Sequence, residues 1–268
     1  MAVTGVSRTA HISVINAATA LVVVLSLNTG CGHRAPLSTP VTVRGPDDIL
    51  QTTTRWIDNR SIDLMSPEGT FVRATAESLV RASYGRGSST EAIDDGGYPG
   101  FTRAFHNAYD PNALGGVGNH QATYVGTDYY EVVVMRQDSD RRYTVGYCHF
   151  ASMTALIQSD GRYASNGTGL VGNYNKRWLT FEPDPEIPPE RQRAPKAHQQ
   201  GPARVPTDDV FGTWIVTSVD DFKTLGDLPQ CRRLAPGTPP DWPSGEYVRS
   251  TPPPTLPPSP GWPEGGST

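Results

Sequence analysis

The chain comprises 268 residues with a formal net charge of −4, a pI near 5.9 and 36% hydrophobic residues. This acidic balance excludes the basic face that nucleic-acid binding calls for, and there is no lysine-rich helix to lie on an anionic membrane. The 27 Gly and 25 Pro cluster in a few stretches, which leaves an ordinary core elsewhere and length for one sizeable domain with flexible flanks.

Residues 1–30 read as an export signal. Arg8 precedes a mostly apolar run from Ile12 to Leu27, which is interrupted at Asn16 and is shorter than the ~20 apolar residues of a comfortable bilayer span. Thr29 and Gly30 are the small residues that processing requires, and Cys31 follows directly. The segment resembles a bacterial, actinobacterial-type lipoprotein signal. It departs from the usual box at Asn28, where Leu, Val or Ile is customary. The resemblance implies cleavage after Gly30, diacylglycerol on the Cys31 thiol and a palmitate-type acyl group on the new amino terminus. Several acyl chains hold a protein on a membrane far better than one, so the expected location is the extracytoplasmic face of the cell membrane. An ordinary cleaved signal and an uncleaved anchor are the alternatives. No cofactor beyond this covalent lipid is expected.

Residues 31–47, with Pro36, Pro40 and Pro46, read as a tether, and a folded domain is expected over 48–232. Ile49, Leu50, Thr53, Trp56 and Ile57 fall on one helical stripe between Asp48 and Arg60. Ser66-Pro67-Glu68 is a helix start, with a hydroxyl cap, proline in the first turn and an acid beside it. That helix presents Phe71, Val72, Thr75, Ala76, Leu79, Val80 and Ser83 on one face and stops near Tyr84, before Gly85 and Gly87. A polar loop is expected from Ser88 to Gly97, then a short helix carrying Phe101, Phe105 and Tyr109. From Thr123 the pattern alternates. Tyr124 to Arg136 and Arg142 to Phe150 form a predicted hairpin, and Ser152 to Ile157, Lys176 to Glu182 and Val210 to Val219 are further strands. Residues 183–206 are expected to be an exposed proline-rich loop. Residues 233–268, with Pro252-Pro253-Pro254 and Pro257-Pro258, are expected to be a disordered tail of polyproline II character.

With Cys31 consumed by lipid, Cys148 and Cys231 remain, and in an oxidising compartment an even pair reads as a disulfide. In the expected hairpin register Cys148 points into the core. Cys231 would then mark the end of the folded domain, and truncation after Arg233 would leave stability largely intact.

Helices followed by an antiparallel sheet is an α+β order. Over Asp48 to Asp221 this order resembles the NTF2-like (SnoaL-like) cone fold. If the hairpin turns on Ser139, Glu131 lies opposite Tyr147 and Tyr129 opposite His149, and all four share one face with Val133, Met135, Tyr143 and Val145. In a cone-shaped cavity Glu131 would then orient His149 as a base, with Tyr129 beside it. A one-residue slip undoes the arrangement.

Other signatures are missing from the sequence. His106 and His120 have no partner at metal-ligand spacing, and no Cys-x-x-Cys or His-x-x-x-His occurs. Gly115-Gly116-Val117-Gly118 lacks the Lys-Ser/Thr of a phosphate loop, and no Gly-x-Ser-x-Gly elbow exists. Asp94-Asp95 and Asp208-Asp209 lack a third calcium ligand. The leading expectation is a membrane-anchored, non-catalytic envelope lipoprotein that binds a protein, glycan or apolar ligand. The alternatives are a cavity enzyme using His149, Glu131 and Tyr129, and a phage- or prophage-encoded surface-exclusion lipoprotein.

Overall fold

Three consecutive threonines decide the first element. Leu50–Trp56 is a strand (β1) and not the amphipathic helix its apolar spacing suggests. The β-branched Thr52, Thr53 and Thr54 are stiff in a helix and fit a pleated surface. One helical turn, α1 (Pro46–Ile49), precedes it with Pro46 and Ile49 buried, so the tether ends earlier than expected. The computed structural model describes residues 45–87, 90–105, 108, 122–139, 141–167, 176–219 and 225–265. The leader, Cys31, His106, Tyr109, His120 and the glycine run at 115–118 lie outside the described residues.

Helix α2 (Pro67–Ser83) starts as its sequence predicts: Ser66 caps it, its hydroxyl accepting from the Gly69 N–H at 3.0 Å, and Pro67 opens the first turn. It ends at Tyr84. The expected polar loop contains a helix, α3 (Thr90–Gly96), because Ala92 and Ile93 have a core to enter. Helix α4 (Phe101–Phe105) follows.

The remaining strands are β2 (Tyr124–Gln137), β3 (Tyr143–Phe150), β4 (Thr154–Ile157), β5 (Tyr163–Ser165), β6 (Lys176–Pro183), β7 (Trp214–Val219) and β8 (Tyr247–Arg249). Together with β1 they make one sheet in the order β7-β6-β3-β2-β4-β5-β8, with β1 on the other edge of β2. The fold is therefore α+β. All pairings are antiparallel except β1 with β2, which is parallel. The chain returns from β1 to β2 through α2, α3 and α4, the long crossover that a parallel pair needs.

Two apolar clusters lie on opposite sheet faces. Under the helices are Phe71, Val72, Phe101, Tyr130, Val132, Val145, Tyr147 and Phe181. On the other face are Tyr129, Cys148, Phe150, Trp178, Leu228 and Cys231. Cys148 and Cys231 are joined by a disulfide, Cα atoms 5.1 Å apart, which fastens the segment after β7 to this second cluster.

The C-terminal segment corrects the sequence expectation. Residues 233–265 are packed rather than a free tail, and Cys231 does not end the fold. Strand β8 extends the sheet beyond β5, and Trp242 and Trp262 are 7% and 1% exposed. The proline-rich stretch is extended, as its composition predicts, but it lies along the outer edge of β1. Its carbonyls accept from the donors there: Thr53 Oγ1 to Leu256 at 2.6 Å, Arg55 Nη1 to Pro257 at 2.6 Å and the Trp56 N–H to Ser259 at 2.7 Å. Thr127 Oγ1 adds a bond to the Pro254 carbonyl at 2.8 Å. Proline carries no N–H, so the outward side of this strap offers few donors to another strand and the sheet edge is closed. Gly126, at φ +108°, makes room for it: a Cβ there would meet the Met153 carbonyl at 2.3 Å and the Pro253 ring at 2.7 Å. The loop expected at 183–206 is only partly exposed, since Pro195 and Pro206 are buried and Ala203 and Val205 pack against the helix-side core.

Candidate functional site

The hairpin exists, but its register separates the expected trio. Near the turn the ladder pairs Gln137 with Tyr143 and Met135 with Val145, two residues on from a turn at Ser139, which preserves the faces. A bulge between Val132 and Val134 then absorbs one residue, so Glu131 lies opposite Cys148, Tyr130 opposite His149 and Tyr129 opposite Phe150. Tyr130 and Val132 therefore join Tyr147 under the helices, while Tyr129 packs with Cys148 and Phe150 on the disulfide face. A Glu131–His149 pair is excluded by this geometry, and so is Tyr129 beside it.

His149 pairs instead with Asp128. Its Nε2 lies 2.8 Å from Asp128 Oδ1, and its ring stacks on Tyr130 with centroids 4.5 Å apart and planes 9° from parallel. A carboxylate only accepts, so with Asp128 ionised Nε2 carries the proton. The environment around the pair is protected: burial, a hydrogen bond to Tyr124 and the nearby Asp128 charge hold the Tyr84 hydroxyl far above its usual range, and burial does the same for Tyr130. An oriented imidazole is half of a proton-transfer device. The other half is space for a reacting group, and the cavity that touches Asp128 and Tyr130 measures about 40 Å³. A water requires roughly 10–15 Å³ by such a measure, whereas ligand sites span roughly 300–1,000 Å³. The void suits a few waters.

Glu131 has other work. It forms an ion pair with Arg233 and accepts from Asn59 Nδ2 at 2.8 Å, and the Arg233 guanidinium lies 4.9 Å from the Phe150 ring centre. The pair thus ties the disulfide-linked segment to the sheet. The acidic doublets are also engaged. Asp95 pairs with Arg86 and Asp94 accepts from Thr102, while Asp208 pairs with Lys196 and Asp209 with Arg103. No cluster of three His, Cys, Asp or Glu side chains forms among the described residues.

Sequence reasoning placed Arg73 and Glu77 outside the apolar stripe of α2, yet both are buried. The Glu77 carboxylate accepts from Trp56 Nε1 at 2.8 Å, Tyr98 Oη at 2.5 Å and Trp262 Nε1 at 2.9 Å. The Arg73 guanidinium lies 4.3 Å from the Trp262 ring centre and donates to the carbonyls of Leu64, Gln199 and Gly261. Burial lowers its pKa to about 10, against the attraction of Glu77. An Arg–Glu pair four residues apart reads in sequence as a surface pair. The available signal was the surplus of tryptophans with N–H groups to satisfy.

Those three carbonyls belong to three separate segments that wall a concavity of about 500 Å³, within the range of ligand sites. One wall is the turn after β1, carrying Asp58, Arg60, Ile62 and Asp63; the second holds Gln200; the third is Ser259 and Pro260 of the strap. Trp56, Leu64 and Met65 complete the lining. The His198 N–H donates to the Met65 carbonyl at 2.8 Å and joins the first two walls. Among the described residues, Arg60 (φ +66°) and His198 (φ +57°) are the non-glycines in the left-handed region; Arg60 lines the concavity and His198 lies two residues before Gln200, which does. Strain of this kind, of order 1–3 kcal/mol each, persists where surrounding structure over-determines the backbone, and it concentrates at functional sites.

Comparison of the chain with family models, with curated proteins and with solved structures found no match. No helix among the described residues is long and apolar enough to cross a membrane.

Proposed function

We propose that this protein is a lipid-anchored component of the bacterial cell envelope, held at the extracytoplasmic face through Cys31, whose folded part is a non-catalytic binding or accessory module. The observation that carries the binding half of this reading is the concavity of about 500 Å³ with its walls tied together by one buried arginine. The backbone of these walls is fixed, so the ordering cost of binding falls on the side chains alone. The contrast with the 40 Å³ void lined by Asp128 and Tyr130 favours binding over cavity chemistry. The export half is supported by the apolar run from Ile12 to Leu27 before Cys31 and by the buried Cys148–Cys231 disulfide, which suits an oxidising compartment. The NTF2-like resemblance contributes helices laid over one sheet face and nothing more specific.

The test is metabolic labelling of the expressed chain with an alkynyl fatty acid, followed by membrane fractionation. The parent should carry label and sediment with membranes. Cys31→Ala should lose the label and appear in the medium or remain as precursor. Undiminished labelling of that variant would remove Cys31 as acceptor and with it the anchored reading.

A further inference from the structure

The concavity walled by residues 58–65, Gln200 and Ser259–Pro260 also indicates the chemistry of what it holds. Asp58 and Asp63 each spend one carboxylate oxygen on a backbone N–H, that of Arg60 at 3.4 Å and that of Met65 at 2.8 Å. The second oxygen of each is left to accept. Arg60 and Gln200, exposed like Asp58 and Asp63, make no side-chain hydrogen bond among the described residues, and Ser259 adds a hydroxyl. Beneath them Ile62 and Trp56 are nearly buried, and Leu64 and Met65 are partly so, giving an apolar floor.

This inventory discriminates between ligand classes. A phosphate or carboxylate group would pair with Arg60 but face two aspartates. A cation would suit the aspartates and face Arg60. A purely apolar ligand would strip water from three charged groups without replacing their hydrogen bonds, at a cost that scales with each group left unpaired. A ligand whose every polar group both donates and accepts, on a ring with apolar C–H faces, leaves none of these groups unmatched. Such a ligand is a neutral saccharide.

We infer that this concavity binds a neutral saccharide of one or two pyranose rings, with Arg60, Gln200 and the free oxygens of Asp58 and Asp63 hydrogen-bonding its hydroxyls. The inference rests on the binding-module reading and names the ligand class for it. Because Arg60 sits at φ +66°, where glycine is at ease and arginine is not, Arg60→Gly removes the guanidinium while relieving the backbone. A residue kept for structure would lose stability on this change, whereas one kept for a ligand would lose only binding.

The experiment is calorimetric titration of the full chain in a non-glycosidic detergent with N,N′-diacetylchitobiose, cellobiose, maltose and mannobiose. At least one should saturate below about 10 mM, with an affinity unchanged between about 50 and 500 mM salt, as expected for uncharged recognition. Arg60→Gly and Gln200→Ala should each weaken it by about fivefold or more, the scale of a lost hydrogen bond to a charged or amide group. Arg60→Gly should melt no lower than the parent. Failure of all four sugars to saturate, or binding that both variants leave intact, overturns the assignment. So does salt-sensitive binding of inorganic phosphate in the same titration, which would make the site an anion site. Each of these results leaves the Cys31 labelling experiment unaffected, so loss of the saccharide assignment and loss of the anchored reading are separately visible.

Discussion

Replacing Trp262 by alanine should cost this protein much of its stability, although the residue sits in a proline-rich segment. Its side chain is 1% exposed, its Nε1 donates to the buried Glu77 at 2.9 Å, and its ring lies against the Arg73 guanidinium at 4.3 Å and the edge of Tyr98 at 5.6 Å. Truncating a buried tryptophan costs about 3–5 kcal/mol through lost contacts and the cavity left behind. The carboxylate also loses one of its three donors, a hydrogen bond to a charged group worth about 1.5–3 kcal/mol. The two terms share atoms and do not add fully, so about 4 kcal/mol or more is expected. That is a large part of the roughly 5–15 kcal/mol that a domain possesses. Trp262→Phe separates the terms: it keeps most of the ring and should cost about 1.5–3 kcal/mol through the lost N–H. Urea unfolding of parent and variants, with the disulfide intact, measures both from the shift in midpoint at constant slope. A Trp262→Ala loss below about 1 kcal/mol, within the range of surface substitutions, would show that the strap is not part of the cooperative fold. Truncation after Arg233, which removes β8, Trp242 and Trp262 together, should then be tolerated; the packing described here requires that it is not.

Two further outcomes follow from the core. Reducing the Cys148–Cys231 bridge, which spans 83 residues of sequence, should cost up to about 4.5 kcal/mol on the chain-entropy model; equal urea midpoints with and without reductant, after confirmed reduction, would contradict it. Tyr84, Tyr98 and Tyr130 all have hydroxyl pKa values raised by burial, so their folded pKa values exceed the unfolded value of about 10. Their contribution is therefore complete below about pH 10 and is lost as pH rises above it, because the unfolded chain releases those protons first. Ultraviolet titration should show these tyrosines ionising only together with alkaline unfolding, and a gradual non-cooperative titration of all tyrosines near pH 10 would refute their burial.

Elements defined by neighbours in sequence were legible, and those defined by distant partners were not. The start of α2 could be read because Ser66, Pro67 and the Gly69 N–H are local to one another. The hairpin strands could be read from alternation, but one bulged residue between Val132 and Val134 moved Tyr129 and Glu131 to the far face and brought Asp128 to His149. No turn-based count detects a bulge. Asp128, an acid inside a strand rich in aromatic and β-branched residues, was the visible anomaly. The helical reading of β1 failed because Leu50, Thr53 and Trp56 are all buried at helical spacing although Thr53 lies on the opposite strand face, where the strap covers it, and the deciding partner is β2, more than sixty residues away in sequence. The strap was misread because proline content predicts an inability to build a core of its own. It does not predict an inability to lie on another, and Trp242 and Trp262 were the residues that spoke for packing.

Arg73 connects these misreadings to the candidate site. A guanidinium wholly removed from water costs more than the attraction of one nearby carboxylate returns unless its donors are satisfied. Here they reach Leu64, Gln199 and Gly261, on the turn after β1, the long loop and the strap. The Arg73 Nε atom makes no hydrogen bond. The arrangement adds little net stability for its burial, but it adds to the isolated β-bridges Arg55–Ser259 and Ala203–Trp262 a side-chain tie that reaches all three segments at once. Those segments are the walls of the concavity. The strap is therefore part of the site as well as of the fold: Trp262 anchors it through Glu77 and Arg73, and Ser259 and Pro260, just before that anchor, form the third wall.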